Sequence, residues 1–228
     1  MTTGGTLEQA CKTSERALLE NGLAEMGLHL GQSARENLLR YVALLAKWNK
    51  VYNLTAVREP ERMIGLHILD SLSVLSQMKG YKNILDVGTG GGLPGIPLAI
   101  ALAEIDPDSR ICLLDTITKK TTFLRHVIGE LGLANANVVT ERVERYRPPQ
   151  IFDVVISRAF AELKDFVDGA GHLCTEEGKM LAMKGVHPFD EIARMSSDHI
   201  VVEIIPMRVP QVDGQRHLVV IKKNQQKE

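Results

Sequence analysis

The segment ILDVGTGGGLPG, Ile84 to Gly95, constrains this chain more than any other. An apolar strand ends near Asp86, and a run of glycines then opens a helix, so the backbone can turn tightly and pass close to a ligand. Gly88, Gly90 and Gly92 follow a G-x-G-x-G pattern, whereas the dinucleotide fingerprint is G-x-G-x-x-G, of which Gly95 leaves a weak version. Some twenty residues on, a second strand ends in Leu113-Leu114-Asp115, where a carboxylate can accept hydrogen bonds from both ribose hydroxyls of an adenosine cofactor. A structural turn or cap is the competing account of each feature alone. NAD and S-adenosylmethionine (SAM) share that ribose. Asp86, the glycine spacing and the strand order favour SAM.

That order is read from apolar runs alternating with helical periodicity. Strands are expected at Ile84–Val87, Ile111–Asp115, Val138–Glu141, Asp153–Ile156, Lys179–Lys184, Ile200–Pro206 and His217–Lys222. Helices fit near Ile96–Glu104, Lys119–Leu131, Leu163–His172 and Phe189–Met195, the alternation of a parallel sheet with helical crossovers. Asp213-Gly214 suggests a short turn joining the last two strands as an antiparallel hairpin. The expected fold is therefore α/β: a Rossmann-like class I SAM-dependent methyltransferase with a seven-stranded, mostly parallel sheet and helices on both faces. Residues 1–80 read as a small N-terminal helical extension and 81–228 as the methyltransferase domain. In the extension, Ser33 and Glu36 have capping-box spacing. Leu38, Leu39, Val42, Leu45 and Trp48 then form an apolar stripe. Pro60 suits the first turn of a helix carrying Met63, Ile64, His67, Ile68, Ser71, Leu72 and Leu75. No pattern is read through Lys12.

Ligands of open α/β sheets bind outside the carboxyl ends of the strands. Val143 and Glu144, after the third strand, could meet an adenine edge, or form a solvated turn. Arg158, after the fourth, points to the expected crevice, where its planar fork of donors could orient guanine O6 or hold phosphate. Ser-Arg-Ala-Phe stands there, not the Asn/Asp-Pro-Pro-aromatic sequence of exocyclic amine methylation. No cysteine follows the fourth or fifth strand as a pyrimidine C5 methylase would require.

Composition narrows the partners. The 228 residues carry a formal net charge of −1, so nucleic acid must be met by a local patch and not by a basic surface. Lys119, Lys120, Arg125, Arg142, Arg145 and Arg147 could form that patch, or a solvated face. The three cysteines, Cys11, Cys112 and Cys174, have no paired spacing, so neither a disulfide framework nor a metal site is expected. With no apolar run of about 20 residues and no secretory leader, a cytoplasmic protein without a membrane partner is expected.

WNKVYNLT (48–55), HILDSL (67–72), LDVGTGGGLPGIPLAI (85–100), LLD (113–115), VISRAF (155–160), MKG (183–185) and DGQRHLVVIKK (213–223) together resemble the RsmG, or glucose-inhibited division protein B, family of bacterial 16S ribosomal RNA guanine-N7 methyltransferases. The resemblance covers nearly the whole chain. It implies SAM as cofactor and 16S rRNA, in the small ribosomal subunit or its precursor, as partner. Its implied target is guanine 527 in the decoding-region loop, and loss of the enzyme is associated with low-level streptomycin resistance. Cofactor contacts are implied at Gly88, Leu93, Asp115, Val143, Glu144 and Arg158. Gly91 departs from the pattern, since many relatives have proline there.

Guanine N7 offers a free lone pair, so no general base is needed and catalysis can rest on holding N7 about 3 Å from the methyl group. Arg158 is the candidate catalytic residue, in an orienting role. Asn53, His67, Lys184, Arg216 and His217 are candidates for closing the pocket or gripping RNA, with packed or capping histidines the competing account of His67 and His217. Nothing in the chain suggests an obligate dimer, and a monomer is expected. Two other functions remain open at this point: a SAM-dependent enzyme acting on a small molecule, and a non-catalytic ribosome-assembly factor.

Overall fold

The computed structural model describes residues 4–224 except Ala161, with side chains from Thr13 onward. Cys11 and the end of the polar tail lie outside the described side chains. Helices α1 (Gly4–Glu25) and α2 (Gln32–Tyr52) come first. α3 (Pro60–Met63) then runs on through a π-helical turn, Ile64–Leu69, into α4 (Asp70–Leu72). Pro60 occupies the first turn as expected, and His67 lies in the π turn, a widened helix common at functional sites. The remainder alternates: β1 (Asn83–Val87), α5 (Gly95–Ile105), β2 (Arg110–Asp115), α6 (Thr118–Leu131), β3 (Ala136–Thr140), β4 (Phe152–Ser157), α7 (Leu163–Ala170), β5 (Cys174–Lys184), α8 (Phe189–Ile192), β6 (His199–Pro206) and β7 (His217–Lys223).

The seven strands form one sheet in the order β3-β2-β1-β4-β5-β7-β6. β3, β2, β1, β4 and β5 pair in parallel, and β7 runs antiparallel to both β5 and β6. Chain direction across the sheet reverses between β1 and β4, and the glycine loop leaves β1 at that reversal. Successive strand residues alternate between two apolar layers, which is why these strands read as unbroken apolar runs. Ile84, Ile111, Leu113, Val154 and Ile156 share a core with Leu38, Val42 and Leu45 of α2, Leu98 of α5 and Phe123 of α6. Leu85, Val87, Leu114 and Val155 face Leu163, Phe166 and Val167 of α7. The N-terminal helices thus cover one sheet face and share its core.

Local signals fail where distant groups intervene. Ser33 does not cap α2: the helix starts at Gln32 with Gly31 as its cap, and the Gly31 N–H donates to both carboxylate oxygens of Glu104 at 2.8 and 3.0 Å. Glu36 accepts from Gln32 Nε2 instead. The β6–β7 connection is not a short turn but residues 207–216, which reach the N-terminal layer, where Gln211 Nε2 donates to the Leu18 carbonyl. α7 and α8 end before His172 and Met195, giving shorter helices than the periodicity suggests.

Candidate active site

The glycine loop is fastened from beneath and from above. Gly88, Gly90 and Gly92 have φ of 68°, 59° and 96°, a region that side chains other than glycine seldom adopt. A Cβ on Gly92 would lie 2.6 Å from Ile96, so that glycine serves close packing against the following helix. A Cβ on Gly90 would meet nothing nearer than 3.8 Å, so the backbone there opens on the crevice. Asp86 is fully buried, and its Oδ2 accepts from Thr89 Oγ1 at 2.6 Å and from the Gly95 N–H at 2.8 Å. It fastens the loop and is not a wall of the crevice, as direct cofactor binding would need. Its Oδ1 is buried without a hydrogen-bond partner, and burial pushes the carboxyl up to about 6. On the other side the Tyr41 hydroxyl donates to the Gly91 carbonyl at 2.6 Å, a contact a proline at Gly91 could also accept.

Asp115 ends β2 as expected. Its Oδ2 accepts from the Gly90 N–H at 2.9 Å, its Oδ1 from the Ile117 N–H at 2.9 Å, and Lys120 Nζ stands 3.6 Å away. Each oxygen keeps a further lone pair for a ribose hydroxyl. A crevice of about 190 Å³ is lined by Leu54, Thr55, Gly88, Gly90, Leu93 and Arg158, among others. The open glycine backbone lines this crevice, and Asp115, outside its lining and 6% exposed, reaches it through the Gly90 N–H; together they fit a nucleoside cofactor. Val143 packs in the second core and Glu144 is exposed with its carbonyl on Arg147, so neither lines this crevice.

Arg158 also lines a second cavity, of about 320 Å³, with Leu66, Asp70, Lys184, Gly185, Arg216 and His217. Asp70, which sequence reasoning passed over inside HILDSL, is the hub. Its Oδ2 accepts from Arg158 Nη1 at 3.0 Å and its Oδ1 from Arg216 Nε at 3.2 Å. Arg158 Nη1 also donates to the Leu66 carbonyl at 3.1 Å, fixing the guanidinium against the π turn. Lys184 Nζ, nearly buried, is committed to Glu191 Oε2 at 2.7 Å and to the Phe160 carbonyl.

His67 is 5% exposed. Its Nδ1 faces the Leu66 carbonyl at 2.9 Å and its Nε2 the Thr55 hydroxyl at 2.8 Å. The Leu66 carbonyl can only accept, so the neutral ring carries its proton on Nδ1 and Nε2 accepts from the Thr55 hydroxyl, whose oxygen also takes the Val57 N–H. Burial, reinforced by the nearby Arg158 charge, lowers this imidazole to about 4, so it is neutral near pH 7. Asn53 accepts from Arg58 Nη2 at 3.0 Å and shapes the loop that carries Thr55.

The basic side chains do not form one patch. Lys119, Lys120 and Arg125 lie on α6, where Arg125 Nη2 donates to Thr140 Oγ1 at 2.9 Å. Arg147 reaches His172 Nε2 at 2.9 Å beyond α7, on the opposite sheet face. Arg142 and Arg145 are exposed. Cys112 and Cys174 are buried free thiols.

A family model described as "GidB: rRNA small subunit methyltransferase G" matches residues 34–219. The chain belongs to this rRNA small subunit methyltransferase G family. It is 52% identical over 207 residues to the Ribosomal RNA small subunit methyltransferase G of Chromobacterium violaceum, covering 91% of this chain and 97% of the relative. The protein of that name from Neisseria meningitidis is 50% identical over 205 residues, 90% of this chain and 97% of its own. Among solved structures, the O-methyltransferase TomG from Streptomyces achromogenes in complex with SAM superposes with TM-score 0.57 at 18% identity, over 90% of this chain and 96% of that one. Such a likeness establishes the Rossmann-like methyltransferase fold. Membership of the methyltransferase G family rests on the sequence match, which spans the Asp70 helix, the glycine loop and Arg158 alike.

Proposed function

We propose that this protein transfers the methyl group of SAM to N7 of a guanine in the loop near the decoding site of 16S rRNA, with SAM in the crevice and the base in the adjoining cavity. The observation that supports this reading is that Arg158 lines both spaces, so one guanidinium stands between the cavities the proposal assigns to methyl donor and acceptor. Family membership supports the reaction class and an RNA of the small subunit. When bound, SAM supplies a methyl group activated by its sulfonium charge.

The chain's residues bind and orient. Asp115 accepts the ribose hydroxyls, and Asp86 and Tyr41 act through the loop they hold. Arg158, with Nη1 spent on Asp70 and Leu66, directs its remaining N–H groups at the O6 edge of guanine, setting N7 toward the methyl group. Proximity and in-line alignment supply most of the rate in this scheme. No proton leaves N7, so the neutral His67 is needed only to brace Thr55 against the π turn. Arg216 and His217 close the cavity, Lys184 positions the β4 loop through Phe160, and Lys119 and Arg125 meet phosphates near the crevice. Val143 and Glu144 approach the adenine edge only if the turn after β3 moves. The enzyme works as a monomer in the cytoplasm, where ribosomal subunits are assembled, and no described helix is long and apolar enough to cross a membrane.

Single-turnover transfer to isolated small subunits and to naked 16S rRNA, with the product mapped by cleavage at 7-methylguanine, tests the proposal. Methylation at another atom, or of small molecules alone, would overturn it.

A further inference from the structure

The segment after β5 holds two rings, His187 and Phe189, that the proposed reaction does not use. Phe189 is 73% exposed and Val186 71% exposed. The Phe189 ring stacks on His187 with centroids 3.6 Å apart and planes inclined by 26°. His187 in turn meets His217 edge-on, at 5.3 Å and 76°. His217 lines the 320 Å³ cavity beside Lys184 and Gly185, so the three rings run from open solvent to the rim of the proposed guanine site.

The row is braced. Pro188 is buried between His187 and Phe189, and Glu191 of α8 accepts from both Lys184 Nζ at 2.7 Å and the Leu163 N–H at 2.8 Å. The charges beside it do not favour phosphate: Lys184 is paired with Glu191 and Arg194 with Glu162, and Asp190 adds negative charge. An exposed ring held flat in such surroundings suits a neutral planar partner. A guanine turned out of its stack leaves a neighbouring base without a stacking partner, and an aromatic side chain can replace the lost contact.

We propose that Phe189, backed by His187, is a stacking platform for a nucleobase adjoining the target guanine in the same RNA strand. The proposal rests on the reading of the chain as an RNA methyltransferase. Because every base has a π face, the platform holds the strand without reading its sequence.

Phe189→Ala, Phe189→Leu and Phe189→Trp test it. Equilibrium binding of deproteinised 16S rRNA and of isolated small subunits should weaken about five- to hundredfold for the Ala and Leu variants and be kept by Trp. SAM affinity by calorimetry and melting temperature should match wild type in all three. Unchanged RNA affinity in Phe189→Ala would overturn the platform, as would a Leu variant that binds like wild type. Weakening confined to assembled subunits would overturn it too, since the ring would then meet something that only the subunit presents. Wild-type protein that binds RNA but makes no 7-methylguanine would refute the proposed reaction, while the RNA affinities would still judge Phe189.

Discussion

Asp70 holds Arg158 at 3.0 Å from a position that is almost fully buried, and its other oxygen holds Arg216. One carboxylate therefore sets two guanidinium groups on the wall of the proposed guanine cavity. Asp70→Asn keeps the shape and removes the charge. Transfer at saturating SAM should fall by about tenfold or more, equal to about 1.4 kcal/mol of barrier, with SAM affinity little changed. Arg158→Lys should behave alike, since an ammonium lacks the fork. A rate that drops only with the folded fraction would reduce Asp70 to a structural role.

Single-turnover rates should be flat between about pH 7 and 9 in the wild type, above the range in which Asp86, raised to about 6, takes up its proton. His67 is held near 4 by burial and the Arg158 charge, and arginine does not titrate in that range. A rate that follows a group titrating near neutrality would reveal a general base.

Asp115→Ala should weaken SAM binding by about 1–3 kcal/mol in calorimetry, because ribose hydroxyls and the Gly90 N–H lose an acceptor together. Lys120→Ala, which removes only the nearby cation, should cost less. Equal losses would mean that charge balance matters more than hydrogen bonding.

Asp86 makes stability depend on pH in the reverse of the usual carboxylate sense. Its folded carboxyl is raised from 3.8 to about 6, so between these values the folded state binds the proton more often than the unfolded chain. Stability from this group is present below about pH 4 and lost as pH rises through 6, by up to about 3 kcal/mol. Asp86→Asn should therefore gain stability over wild type at pH 7.5 and lose that advantage near pH 4, by urea unfolding. His67 has the opposite slope between about 4 and 6.5, but it is common to both proteins and cancels in the difference. A pH-independent difference would show that Asp86 is ionised as easily as in the unfolded chain.

Replacing Lys119 and Arg125 with Ala should lower the slope of log RNA affinity against log salt by nearly two units, if each meets one phosphate. Arg147→Ala should leave the slope alone, since that side chain is tied to His172 on the opposite face. The converse result would move the RNA to the α7 side.

Features carried by neighbouring residues were legible in the sequence. The seven strands, the glycine loop and Asp115 each announce themselves in a few consecutive positions, because apolar runs, positive φ and a strand end are local demands. Arg158 was legible through strand order. Its tether was not: Asp70 lies 88 positions from Arg158 and 146 from Arg216, inside a helix whose spacing reports only burial. Tyr41 was hidden in the same way, since its place on the apolar face of α2 says nothing of a hydroxyl reaching Gly91. The capping box at Ser33 misled because Glu104, on α5, outcompetes it for the helix start. The single basic patch failed because residue number does not reveal which side of a sheet a loop will face.

β7 fills the slot between β5 and β6, and residues 207–216 touch the first helix through Gln211 and Leu18. During synthesis, β1 to β5 and the cofactor loop can form early, yet the edge of β5 stays unpaired until residues 217–223 emerge. A chain stopped short of His217 would carry the proposed crevice and still offer that bare edge to a strand of another copy, so truncation should produce aggregates before it produces an inactive monomer.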